Sequence, residues 1–150
     1  MRIHWHWPFA RPEELGWAEA TVRPGDSLVV SVVDRAAAPA ESADGPVVVV
    51  RDLPDVRRDL RVGPRWAWSR ARTYLGRAEV RRRHWRDDGP IDLTHIHYLN
   101  RFMDAFTLGR NRPPVVVLSV HDLRPHVRRG PAWVDRRLLQ RVYRHVDAFI

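Results

Sequence analysis

The 150-residue chain has no cysteine and, although basic, no lysine. The first absence excludes disulfides, thiolate zinc sites and a cysteine nucleophile. It also leaves nothing that asks for an oxidising compartment, so a cytoplasmic setting is expected. No apolar run approaches the roughly 18 residues of a membrane span, and Met1-Arg2-Ile3-His4-Trp5-His6-Trp7-Pro8 lacks the apolar stretch of a secretory signal. There is no Gly-x-Ser-x-Gly elbow and no P-loop, so nucleophilic hydrolysis and P-loop nucleotide chemistry have no carrier. Carboxylates paired for acid and base work are lacking, since Asp87-Asp88 reads as a turn and Glu13-Glu14 as a helix start. No repeat and no helix-turn-helix, RNA-recognition or KH signature occurs, so nucleic acid is not the expected partner.

What the chain has is arginine. All 26 basic residues are Arg, for a net charge of +8. Residues 51–88 hold 12 Arg against 6 acids, residues 124–144 hold 7 against 1, and the first fifty residues are net acidic by 3. Such a surface attracts phosphate groups, whether on a nucleotide-activated substrate, an anionic lipid leaflet or nucleic acid. A solvated arginine-rich exterior has the same composition. One domain of this length can bury roughly two thirds of its unfolded surface, so a core forms without staples.

Ile3, Trp5 and Trp7 alternate with His4 and His6, the pattern of a half-buried strand that Pro8 ends. Residues 10–25 offer a short helix with Pro12 at its start, Glu13 and Glu14 in its first turn, and Leu15, Ala18 and Val22 on one face. Ser27 to Val33 and Pro46 to Val50 are strands, joined by the Ala/Pro/Ser-rich residues 34–45, where no chemistry is expected. The arginine-rich section predicts a helix from about Pro64 to Trp85. Ala67, Ala71, Tyr74, Leu75 and Ala78 would face the sheet, and Arg65, Arg72, Arg77 and Arg81-Arg82-Arg83 would face outward among Trp66, Trp68 and Trp85. Arginine interleaved with tryptophan also suits anionic headgroups, so peripheral contact with the inner face of a membrane is a second expectation here. Leu93 to Tyr98 and Val115 to Val120 are further strands, separated by a short helix from Arg101 to Phe106 that Asn100 could cap. In Pro131 to Val146, Val134, Leu138, Val142 and Val146 recur every four residues, while Arg136, Arg137, Arg141 and Arg144 face water. Asp147 to Ile150 opens a sixth strand. Strands alternating with helices imply an α/β fold in a single domain over 1–150, a mostly parallel sheet of about six strands with helices on both faces.

Two of these strands finish in histidine, one through His95-Ile96-His97 and the other into His121-Asp122. In an open parallel sheet the ligand lies beyond the carboxyl ends of the strands, so His97 and His121 are expected to open onto one crevice. Taken singly, each is an ordinary strand-end histidine bonded to backbone. His95 and His97 with His121 and Asp122 also have a spacing that metal sites use, which makes a metal-dependent hydrolase the rival reading. Against it stands the expectation that the two rings of His95-x-His97 part to opposite faces of the strand.

Asp92-Leu93-Thr94-His95-Ile96-His97-Tyr98 resembles the Asp-hydrophobic-hydrophobic-His-x-His strand of the family 4-like (group 1) glycosyltransferases of GT-B architecture. Residues 114–122 (PVVVLSVHD) are similar to that family's strand ending in Thr/Ser-hydrophobic-His-Asp, and residues 143–150 (YRHVDAFI) look like its helix end and Ala-Asp strand. The resemblance spans about the last 60 residues. It implies one half of a GT-B fold: a Rossmann-like, doubly wound, acceptor-side N-terminal domain. The donor-binding C-terminal domain would lie outside this chain, which is then truncated or needs a partner chain. It implies retaining transfer of a sugar from a nucleotide-sugar co-substrate to an acceptor, with no further cofactor and no metal. It makes His121 the catalytic residue at the donor sugar, lines the cleft with His97, Tyr98 and Asp122, and offers Arg124 as a cation for the diphosphate. Helix N-termini and cations can stabilise that leaving group in place of a metal. The family's Gly-rich loop after the first strand is replaced by Pro8-Phe9-Ala10-Arg11-Pro12, which leaves Gly16 as the nearest glycine for substrate contact.

Overall fold

The computed structural model describes residues 1–33, 46–55, 62–87, 89–97, 99, 101–109, 112–120 and 132–150. Among them are six strands, β1 (Arg2–His6), β2 (Ser27–Val33), β3 (Val47–Leu53), β4 (Leu93–Ile96), β5 (Val115–Leu118) and β6 (Ala148–Phe149). The helices are α1 (Pro12–Thr21), α2 (Pro64–Arg86), α3 (Arg101–Thr107) and α4 (Ala132–Tyr143). All strand pairs are parallel, in the order β3-β2-β1-β4-β5-β6. The chain builds outward from β1 to β3, returns through α2 to lay β4 beside β1, and builds outward again to β6. This is a Rossmann-like, doubly wound α/β fold.

Side-chain alternation divides the core between the two faces of the sheet. On one face Leu28, Val30, Val32, Val47 and Val49 pack with Trp7 against Leu15 and Ala18 of α1. Pro12 begins that helix, and the Glu14 carboxylate accepts the Arg11 backbone N–H at 2.8 Å, so an otherwise orphaned donor is satisfied. On the other face Ile96, Val116 and Leu118 pack against Ala105 and Leu108, at and just beyond the end of α3, and Val142 of α4. Each fully buried aliphatic side chain of this kind contributes about 1.5–3 kcal/mol. The amino ends of the strands are tied by charge: the Met1 ammonium meets Asp26 at 2.6 Å, and Asp147 Oδ2 accepts the Val116 N–H at 2.8 Å and Arg112 Nη1 at 2.7 Å.

Helix α2 lies differently from its sequence expectation. Leu75 is 46% exposed, while Arg77 and Arg81 are buried with Thr73, Ala78, Val80 and His84. The sheet beneath explains the rotation. His4 and His6, expected on the solvent side of a half-buried strand, are covered, as is Ser31 of β2. Buried polar groups need partners, and a helix turned on its apolar stripe would take His84 away from Ser31 and lay aliphatic side chains over the imidazoles. The rotated α2 brings His84 and Arg81 inward and sends Leu75 out. Gly76 belongs to the same contact, since a Cβ there would lie 2.9 Å from Pro54 Cγ, and only the missing side chain allows helix and β3 end this close.

Candidate functional site

The carboxyl ends of the strands form one rim, and β1 and β4 meet at its centre. Chain order reverses between them, which is where open α/β sheets leave a crevice. His97 sits at this point. Its N–H donates to the His6 carbonyl at 3.2 Å, one residue past β4, and its ring lies 3.9 Å from the Trp7 ring at 32°. One layer further in, Trp5 meets His95 edge-on at 5.0 Å, and Trp5 and Trp7 are 5.2 Å apart. His95 and His97 therefore share a face, with ring centroids 6.0 Å apart. The expectation that these rings diverge is overturned, because residues two apart on a strand line the same side.

His95 Nε2 lies 2.7 Å from Ser119 Oγ, and the Ser119 N–H donates to the Ile96 carbonyl at 3.0 Å. The end of β5 is thereby held at the His97 rim, and Val120, whose N–H donates to the Ile150 carbonyl at 2.9 Å, is the last described residue before His121. Tyr98, His121, Asp122 and Arg124 lie outside the described residues. Gly16 lies inside α1, exposed, with nothing within 4 Å of an added Cβ. It is a helix residue and does not stand in for a phosphate-facing loop. Two residues at the rim escaped sequence reasoning. Ser119 was visible only as the Thr/Ser position of the strand-end motif, with no role given to it. Trp7 stood one position beyond the first strand; its side chain is buried and, among the described residues, its indole Nε1 has no acceptor.

Behind β1, on the face covered by α2, lies a second polar assembly. His4 Nε2 is 3.0 Å from Ser31 Oγ, which is 3.2 Å from His84 Nε2, which is 2.5 Å from Asp52 Oδ2. The residue types are those of a serine nucleophile with its base and orienting acid, but the geometry is not. One imidazole nitrogen faces both serine and aspartate, so no proton can pass from one ring nitrogen to the other, and Ser31 is fully buried. The assembly is structural support for β1. Arg81 and Asp104 form a buried ion pair beside it, and Arg77 Nε donates to the Pro54 carbonyl at 2.9 Å with its guanidinium 5.7 Å from the Phe9 ring. Burial, followed by the charges of His84 and Arg81, holds the His4 imidazole well below the usual histidine range. His6 is lowered by burial first, then by Arg81, His4, Arg77 and His84.

Among the described residues no three His, Asp or Glu side chains converge to hold a metal ion. None of the described helices is long and apolar enough to cross a membrane. No protein-family model, no curated protein and no solved structure matches the chain.

Proposed function

We propose that this chain is the acceptor-side half of a GT-B-type glycosyltransferase, which moves a sugar from a nucleotide-sugar donor to an acceptor with the help of a donor-binding domain, in the same polypeptide or a partner chain. The observation that supports it best is the stacked Trp7–His97 pair at the β1/β4 switch point, on the rim from which Val120 leads into His121-Asp122. His97 is half-buried and its imidazole is backed by the buried Trp7 indole, so the ring is held in place for a substrate hydroxyl. In this reading His121 acts at the donor sugar, His97, Tyr98 and Asp122 line the cleft, and Arg124 meets the diphosphate. Gly16 has no role in it.

The protein would work in the cytoplasm, at the inner face of the membrane. Trp68, 70% exposed, and Leu75 project from α2 among the exposed Arg65 and Arg72, spaced to share one side of the helix. The decisive experiment is to read the frame beyond Ile150 and its genomic neighbours for a second Rossmann-like domain, then to assay the assembled protein for nucleoside diphosphate release from a donor panel. His97→Ala and His121→Ala should each lower the rate about a hundredfold with the fold intact. No such domain, together with no donor-induced change in the Trp7 or His97 NMR signals, would sink the proposal.

A further inference from the structure

Five described arginines have a carboxylate: Arg77 has Asp55, Arg81 has Asp104, Arg82 and Arg86 have Glu79, and Arg112 has Asp147. Helix α4 and the residue after it gather three that do not. Arg137, Arg141 and Arg144 recur along one side of it, all exposed, and among the described residues no carboxylate pairs with them. They line a groove of about 580 Å³ with Phe106, Leu138 and His145, and none of its described side chains is acidic. The only acid of α4, Asp135, is buried. Like charges three and four residues apart on a helix repel, and no described side chain within the groove offsets them.

Two of the three cations are also held in place. The Arg141 guanidinium lies 5.0 Å from the Phe106 ring and that of Arg137 lies 5.7 Å from the Trp133 ring. A guanidinium resting on a ring keeps its edge N–H donors available and loses less freedom on binding than a solvated one. The Arg144 and His145 end of the groove is beside Gly109 and Arg112, where the chain enters β5, at the opposite end of the sheet from His97.

We propose that the α3/α4 groove is a binding site for a small molecule bearing two adjacent phosphate groups, gripped by Arg137, Arg141 and Arg144, with Phe106 positioning Arg141. The volume fits a small ligand, and the donor set fits phosphate oxygens. This site is separate from the rim and does not rest on the sugar-transfer reading.

The test is calorimetric titration of the chain with inorganic pyrophosphate, orthophosphate and sulfate at about 0.15 M salt. Pyrophosphate should bind about tenfold or more tightly than sulfate, and Arg141→Gln and Arg144→Gln should each weaken it about tenfold. Phe106→Ala should weaken it about threefold through the released guanidinium, and Arg65→Gln on α2 should change nothing. Coincident thermal melts of these exposed-site variants establish that the fold is kept. Equal affinity for sulfate, affinity unchanged in Arg141→Gln and Arg144→Gln, or capture by anionic vesicles that depends on Arg141 while pyrophosphate fails to bind would each overturn the proposal.

Discussion

Mild acid should destabilise this fold well before its carboxylates titrate, and the reason lies under α2. His4 and His6 are buried, and their neighbours Arg81, Arg77 and His84 contribute either positive charge or another imidazole, so both rings hold protons poorly in the folded state. In the unfolded chain each recovers an ordinary value near 6.5. A folded-state value lowered below the unfolded one means the unfolded chain takes up protons that the folded chain refuses. Stability is then full above about pH 6.5 and is lost as the pH falls. A histidine that stays neutral in the fold from pH 7 to pH 5 costs about 2 kcal/mol over that interval, and two cost about 4. Against a typical total of about 5–15 kcal/mol, that is a large fraction. Urea unfolding followed by tryptophan fluorescence at several values between pH 7.5 and 5 measures it. Because His6 Nδ1 has no hydrogen-bond partner among the described residues, His6→Phe should keep the packing and roughly halve the pH slope. A stability flat across this range, or a slope that His6→Phe leaves untouched, would refute the reasoning.

Three further outcomes follow from neighbouring contacts. Arg81→Met should cost about 3–5 kcal/mol in urea unfolding, because it takes the guanidinium from the buried Asp104 carboxylate, and the double variant Arg81→Met with Asp104→Leu should recover most of the loss. Asp147 is held below the usual carboxylate range, first by the Val116 N–H and then by Arg112, so its contribution is present above the unfolded value near 3.9 and is lost as the pH drops through the lower folded value. Asp147→Asn should flatten the acid limb of a melting-temperature profile below pH 4 relative to the parent. Gly76→Ala would gain about 1 kcal/mol of helix propensity in free space, but its Cβ would meet Pro54 Cγ at 2.9 Å, so the melting temperature should not rise. A rise of several degrees would contradict the close approach.

The strands and helices were legible because their signals are local. Val115 to Leu118 and the four-residue repeat of α4 need no tertiary information, and the short link from β2 to β3 still gives a parallel pair. The rim was legible for the same reason, since a parallel sheet puts His97 and the approach to His121 at one end. The orientation of α2 was hidden. Its most apolar stripe is a sound inward guess against an apolar sheet, and the sheet is not apolar there. The histidines of β1 looked like a water-facing row, and α2 looked like an amphipathic helix with arginine outside. Each pattern is ambiguous until the two are laid together, when His84 of α2 stacks on His4 and reaches the Ser31 hydroxyl that His4 also meets. Trp7 was missed as a site residue because its hydrophobicity already explained its place in the core.

β1 has polar contacts on one side and aromatic contacts on the other, and this bears on how firmly the rim is built. His97 is fixed from two directions by the same strand segment: the His6 carbonyl holds its backbone, and the Trp7 ring holds its side chain. His6 in turn lies within the field of Arg81 and Arg77, whose anchors are Asp104 in the first turn of α3 and Pro54 just past β3. The backbone of His97 and one face of its imidazole are therefore tied to the central strands and, through His6, to the buried charges on the far side of the sheet. A site of this construction arrives pre-organised, and the His97 ring should shift, as read by its NMR signals, when the Arg81–Asp104 pair is broken.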